Sequence, residues 1–206
     1  AAGSLDAAQS LAVAAHVTLS PPARAFLREL EAIGGVMLER QCEPVAMKSG
    51  SLDSLLGRLG EPEPDLQESK NPIDFPEVPG MPGEISRLLG CRVSGVPHWK
   101  KMGQASFCAL PLQTTGSTAR LLKFGPGGKA PRHTHTGLEL TVVLDGSFRD
   151  EHGEYHASQL VIEEGTDHAH NPVADSRQGC LCLSVLSGPI QLKTWYGWLV
   201  NPFLKG

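Results

Sequence analysis

No stretch of the chain approaches the roughly 18 consecutive apolar residues that a membrane-spanning helix needs, so no membrane association is expected. Ala1 to His16 has neither a basic start nor a separate apolar core, and no secretory leader is expected there. No internal repeat is present, which sets aside solenoid and propeller folds. Cysteine is sparse and odd in number: Cys42, Cys91, Cys108, Cys180 and Cys182 are scattered. That pattern does not make a disulfide framework and points to a reducing, cytoplasmic setting. Excess positive charge is also missing. The first 59 residues hold six acids against five bases, and the net charge of the chain is −4. Direct nucleic-acid binding is therefore not expected.

The negative charge is concentrated. Between residues 60 and 86 seven acids face only Lys70, and Pro62, Pro64, Pro72, Pro76, Pro79 and Pro82 fall in the same stretch. Acidic, proline-rich sequence of this kind buries little and reads as a semi-extended linker. It divides the chain into a helical part, 1–59, a linker, 60–83, and a β-rich part, 84–206. In the first part Leu5, Ala8, Leu11, Ala12 and Ala15 keep helical spacing. Ser20-Pro21 then forms a strong helix start, with Ser as cap and Pro in the first turn. Phe26, Leu27, Leu30, Ile33, Met37 and Leu38 follow as an apolar stripe, and a short helix is expected after Ser49 or Ser51. Three short helices make a thin core, either a small bundle of their own or a module completed by a partner or neighbouring domain.

From about Gly83 the pattern changes to short strands: 104–110, 118–124, 138–144, 160–162 and 180–186. The turns between them include Gly125-Pro126-Gly127-Gly128, Asp145-Gly146 and His152-Gly153. The expected architecture is a sandwich or barrel. Cys180 and Cys182 share a strand face and read as small core residues.

The chemistry is concentrated in Gly127–Gly146. On a strand, residues two apart point the same way, so His133 and His135 project together, and Glu139 joins them after a bend near Gly137. Two imidazoles and a carboxylate make three-quarters of a metal site. A fourth ligand is expected downstream in Gly165–Pro172, where His168 and His170 share strand parity and either can serve. Imidazole and carboxylate suit zinc, iron, manganese or nickel, and spacing does not choose among them. His98, His152 and His156 read as solvated surface residues.

The spacing from Gly127 through His133, His135 and Glu139 to Gly146 resembles the first motif of the cupin superfamily. Gly137–Glu151 and His170-Asn-Pro-Val-Ala174, together with the helical module and the linker, resemble the ChrR-type cupin anti-sigma factors. The resemblance covers nearly the whole chain and favours His170 over His168. It implies an α+β, multi-domain protein: a small N-terminal helical anti-sigma module followed by an all-β cupin jelly roll. It implies an extracytoplasmic-function sigma factor as partner, a divalent metal, typically zinc, in the cupin, and release of the sigma factor under singlet-oxygen-type oxidative stress. The family's N-terminal zinc motif is His-x-x-x-Cys-x-x-Cys with a further upstream His. Here His16 matches the motif histidine, but Ser20 and Ala23 stand at the thiol positions and the upstream His is lacking. Ser and Ala supply no thiolate, so zinc binding at this end is expected to be lost. The competing readings are a metal-dependent cupin enzyme, dioxygenase-like and acting on a small molecule, and a ligand-sensing cupin whose helices form a homodimer in the free state.

Overall fold

The computed structural model describes residues 3–60, 77–92, 98–112, 116–165 and 169–194. The helical part starts with a reciprocal cap: Asp6 accepts from the Gln9 N–H, and the Gln9 side chain accepts from the Asp6 N–H. Helix α1 (Ala7–Leu19) ends at Ser20, which also opens α2 (Pro21–Gln41) by accepting from the Ala23 N–H. The expected Ser-Pro start is therefore present. A shorter helix, α3 (Ser51–Gly57), runs into a single 3-10 turn at Arg58–Gly60. The linker expected at 60–83 lies largely outside the described residues.

Strand assignment from Gly83 onward was too early. Gly83–Arg92 is a helix, α4, whose Ile85 and Leu89 are fully buried. The i, i+4 pair is a helical signature, obscured in the sequence by the Pro- and Gly-rich run before it.

Among the described residues ten strands follow: β1 (Trp99–Met102), β2 (Ala105–Leu110), β3 (Thr118–Phe124), β4 (His133–His135), β5 (Leu138–Arg149), β6 (Glu154–His156), β7 (Leu160–Glu164), β8 (Val173–Ala174), β9 (Cys180–Leu186) and β10 (Ile190–Leu192). Among the described residues every strand pairing is antiparallel. The main path runs β1-β2-β3-β9-β5-β6, with β7 and β8 also on β5, while β4 pairs with β10. Strand β5 is long because the expected turn at Asp145-Gly146 is instead paired strand, with a bulge just before it between Val143 and Asp145. Gly146 has φ +71°, and a Cβ there would strike the Gly179 carbonyl. One half of β5 pairs with β7 and the other with β6, so the strand serves both walls of the barrel.

Side-chain alternation along β5 and β9 separates two cores. Leu140, Val142, Leu144, Leu181, Leu183 and Val185 point outward, where α1 buries Ala8, Leu11, Ala12 and Ala15 against them and α4 adds Ile85 and Leu89. Val143, Phe148, Cys180 and Cys182 point inward with Val161 and Ala174. The N-terminal helices therefore do not form a bundle around their own core. The first is part of the outer wall of the β domain, and His16 Nδ1 lies 2.9 Å from the Ser158 carbonyl. No residue of α2 or α3 is buried, and Phe26, Leu30, Ile33, Met37, Leu52, Leu55 and Leu56 are exposed.

This arrangement makes a contrast that denaturation can read. Leu11→Ala should lower the unfolding free energy of the whole chain by about 2–5 kcal/mol. Phe26→Ala, on the bare face of α2, should change it by no more than about 0.5 kcal/mol. Urea titration followed by tryptophan fluorescence distinguishes the two; equal effects would place α1 outside the core.

Candidate metal centre

Three separate elements bring the donor atoms together. His133 and His135 lie on β4 with one residue between them and share a face. The chain then bends through Thr136-Gly137, where the backbone packs so closely on Ser187 that a Cβ on Gly137 would lie 2.7 Å from its hydroxyl oxygen. Strand β5 follows and places Glu139 inside. His170 arrives opposite His133: the His133 N–H donates to the His170 carbonyl at 3.0 Å, and the His170 N–H returns to the His133 carbonyl at 2.9 Å. This reciprocal pair puts both rings on one side of the ladder. His168, the alternative fourth ligand, lies outside the described residues.

The donor atoms of His133, His135, Glu139 and His170 all lie within 4.8 Å of one another. His170 Nε2 lies 3.1 Å from His133 Nε2 and 3.3 Å from His135 Nε2, and His135 Nε2 lies 2.5 Å from Glu139 Oε2. A tetrahedron with metal–nitrogen bonds near 2.0 Å has edges of about 3.3 Å. His135, Glu139 and His170 are buried, and His133 is half-buried at the rim. Of the buried atoms of the cluster, His135 Nδ1 has no hydrogen-bond partner, and Glu139 Oε2 has only the ion-pair contact with His135 Nε2. Buried polar atoms left in this state are costly without a further partner, and a cation between the four donors supplies one for the carboxylate. The residues present therefore fit a divalent metal. As a Lewis acid, such an ion would hold three neutral imidazoles and one carboxylate together.

The surroundings fix which ring nitrogens face inward. His133 Nδ1 lies 2.7 Å from the Pro131 carbonyl and donates to it, leaving the Nε2 lone pair toward the cluster. His170 Nδ1 lies 3.0 Å from Glu163 Oε1 and 3.2 Å from Asp150 Oδ2. The Asp150 side chain is fully buried, and its Oδ1 accepts from the His152 and Gly153 N–H groups. Next along the chain, Asn171 is tied by its N–H to Glu151 and by its side-chain amide to the Ala130 carbonyl. Asp150 and Glu163 were not identified from the sequence. The one signal available was that Asp150 lies within the Gly137–Glu151 signature, next to its last residue. His98, His152 and His156 are exposed, as expected, although His152 reaches toward Asp150 and Glu163.

Protonation follows from this geometry. Burial, followed by the like charge of His170, pushes His133 down to about 4. Burial drives the Glu139 carboxyl upward, but its contact with His135 and the charges of the other two histidines hold it at about 2. For His170, burial opposes the charge, yet Glu163, with Glu139 and Asp150, outweighs it and raises the pKa. A ring that is neutral at pH 7 and a carboxylate that stays ionised are the forms a metal requires. At the other end of the chain, Ser20 spends its hydroxyl on the α2 cap, and His16 points to Ser158. Cys180 and Cys182 have their sulfurs 3.2 Å apart and fully inside. A hydrogen bond from Cys180 and burial raise the Cys182 thiol well above its ordinary value.

Two outcomes follow. Asp150→Asn should weaken metal binding by roughly 10- to 100-fold, as loss of an outer-sphere carboxylate does, when affinity is read by chelator competition. In the metal-free chain His133 is harder to protonate when folded, with its pKa depressed from about 6.5 to about 4. The unfolded chain takes up that proton first, so stability is lost as pH falls through this window. His133→Gln should flatten that part of the urea-midpoint profile; an unchanged slope would contradict the assignment.

Known proteins are similar to the chain in sequence and fold. The profile of the ChrR Cupin-like domain matches residues 93–191. Over 206 residues the chain is 35% identical to the Anti-sigma-E factor ChrR of Cereibacter sphaeroides, covering all of this chain and 92% of that protein. The crystal structure of Rhodobacter sphaeroides SigE in complex with the anti-sigma ChrR superposes with a TM-score of 0.70 at 34% identity, over 90% of this chain and 91% of that one. With both halves matched, the chain belongs to the ChrR family of cupin-like proteins.

Proposed function

We propose that this protein is an anti-sigma factor that sequesters an extracytoplasmic-function sigma factor through its N-terminal helices, residues 1–59. A linker, 60–83, joins them to a cupin regulatory domain, 84–206. The observation that carries the reading is the bare apolar face of α2 and α3, set on a chain similar along its whole length to a protein named as an anti-sigma factor. A helix keeps Phe26, Leu30, Ile33 and Met37 in water only at the expense of solubility, and such a face suits a partner's groove. Helix α1 anchors this surface to the β domain, so a change at the cupin has a rigid element to act through.

In this reading the cupin holds one divalent metal, zinc before iron, manganese or nickel, on His133, His135, Glu139 and His170. Four protein donors suit a closed zinc site. The N-terminal end carries no zinc, because Ser20 and Ala23 replace the thiols. The stimulus is oxidative stress of the singlet-oxygen type, and the protein acts in the cytoplasm. Among the described residues no helix is long and apolar enough to cross a membrane. The competing reading, a metal-dependent dioxygenase-like enzyme, draws on the donor set of three histidines and one glutamate, which suits iron as well as zinc. Iron as the native metal together with substrate-dependent oxygen consumption would establish it instead.

Co-expression with an extracytoplasmic-function sigma factor of the same organism should yield a stable complex. Leu30→Glu combined with Ile33→Glu should abolish that complex while leaving the melting temperature of the free chain unchanged. Metal analysis should give about one zinc per chain, lost in His133→Ala. A double variant that still captures the sigma factor would remove α2 from the interface.

A further inference from the structure

The barrel is not filled. Beside the metal cluster lies a cavity of about 640 Å³. Protein interiors pack like organic crystals, and a small barrel is closed either by its own side chains or around one ligand. A domain whose inner face served only to hold an ion would be expected to fill this space with larger residues. Instead the walls are apolar, made by Leu122, Phe124, Phe148, Val161, Leu186 and Leu192, and the volume falls in the range of small-molecule sites.

The polar groups on the walls sort into committed and uncommitted. Glu139 accepts from the Thr141 and Ser184 hydroxyls, each at 3.0 Å, and faces the three histidines. Glu163 is held by His170 Nδ1. Two groups remain. Arg120 projects from β3 level with Ser184 on β9, and it donates a long hydrogen bond, 3.4 Å, to Thr118 Oγ1. No carboxylate among the described residues comes within ion-pair distance of it. Its charge is partly desolvated, and the nearby Glu139 favours keeping it. Thr194 Oγ1 is buried, lines the same cavity and has no hydrogen-bond partner. Both uncommitted groups can donate hydrogen bonds, and one is cationic. They complement an acceptor-rich, anionic head.

We propose that the cupin cavity binds a small amphipathic carboxylate, with its apolar body against Leu122, Phe124 and Phe148 and its carboxylate on the Arg120 guanidinium, assisted by the Thr194 hydroxyl. This builds on the reading of the cupin as the regulatory half and gives that half a chemical input. Decanoate is a suitable probe and decan-1-ol its uncharged counterpart. Isothermal titration calorimetry is done on the metal-loaded full chain with no sigma factor present, so sigma capture and ligand binding succeed or fail separately.

Decanoate should bind saturably at one per chain, and decan-1-ol at least tenfold more weakly. Arg120→Gln should bring decanoate down to the level of the alcohol, and Thr194→Val should weaken it in the same direction by less. Should Arg120→Gln not fold, Arg120→Lys keeps the charge but not the planar fork and should still weaken decanoate severalfold. Equal binding of acid and alcohol, no binding of decanoate, or affinity unchanged by all three substitutions would overturn the proposal. So would decanoate binding that survives Arg120→Gln and vanishes when the metal is removed, because the head would then sit on the ion.

Discussion

The alternation of side chains on β5, reset once at the bulge between Val143 and Asp145, is the constraint from which the rest of the molecule follows. One residue, Glu139, faces the cluster, and the next, Leu140, faces helix α1. The pattern repeats along the strand and is matched on β9, where Cys180, Cys182 and Ser184 point in while Leu181, Leu183 and Val185 point out. A shift of one residue in the register of either strand would exchange the two faces. Glu139 would be driven into an apolar helix interface and Leu140 into the metal cluster. The bulge between Val143 and Asp145, together with Gly146, where only a residue without a Cβ fits, helps pin that register.

The parts of the site that lie close in sequence were legible there. His133, His135 and Glu139 are separated by short stretches of strand and a bend, and period-two geometry alone converges them. The fourth position was not decided by periodicity, since His168 and His170 have the same parity. What places His170 at the cluster is the backbone pair it makes with His133, 37 residues away, and no local pattern encodes that pairing. The same limit applies to Asp150 and Glu163. Their role depends on which nitrogen of His170 they meet, a property of the assembled barrel.

In the helical part the periodicity of α1 and α2 was plain, but it does not say what a stripe packs against. Both helices carry apolar residues at helical spacing. The small residues of α1, Ala8, Ala12 and Ala15, allow close approach to the β sheet, whereas the bulkier stripe of α2 is left in solvent. Size, more than hydrophobicity, separates the two. Asp145-Gly146 resembled a turn for a similar reason: Asp-Gly is a common turn dipeptide, and only its pairing with Leu181 and Cys180 on β9 keeps the strand running through it.

The bond between His16 and Ser158 spans 142 residues of chain. It has a consequence for how the protein is made. At synthesis rates of about 5–20 residues per second, α1 leaves the ribosome on the order of ten seconds before the strands it packs on are complete. Through that interval its buried face has nothing to cover it, and α2 and α3 are already displaying theirs. The nascent chain therefore presents the apolar faces of α2 and α3 before it has a β domain to hold them. Assembly with a partner during translation would be limited by the supply of that partner and not by the completion of the barrel.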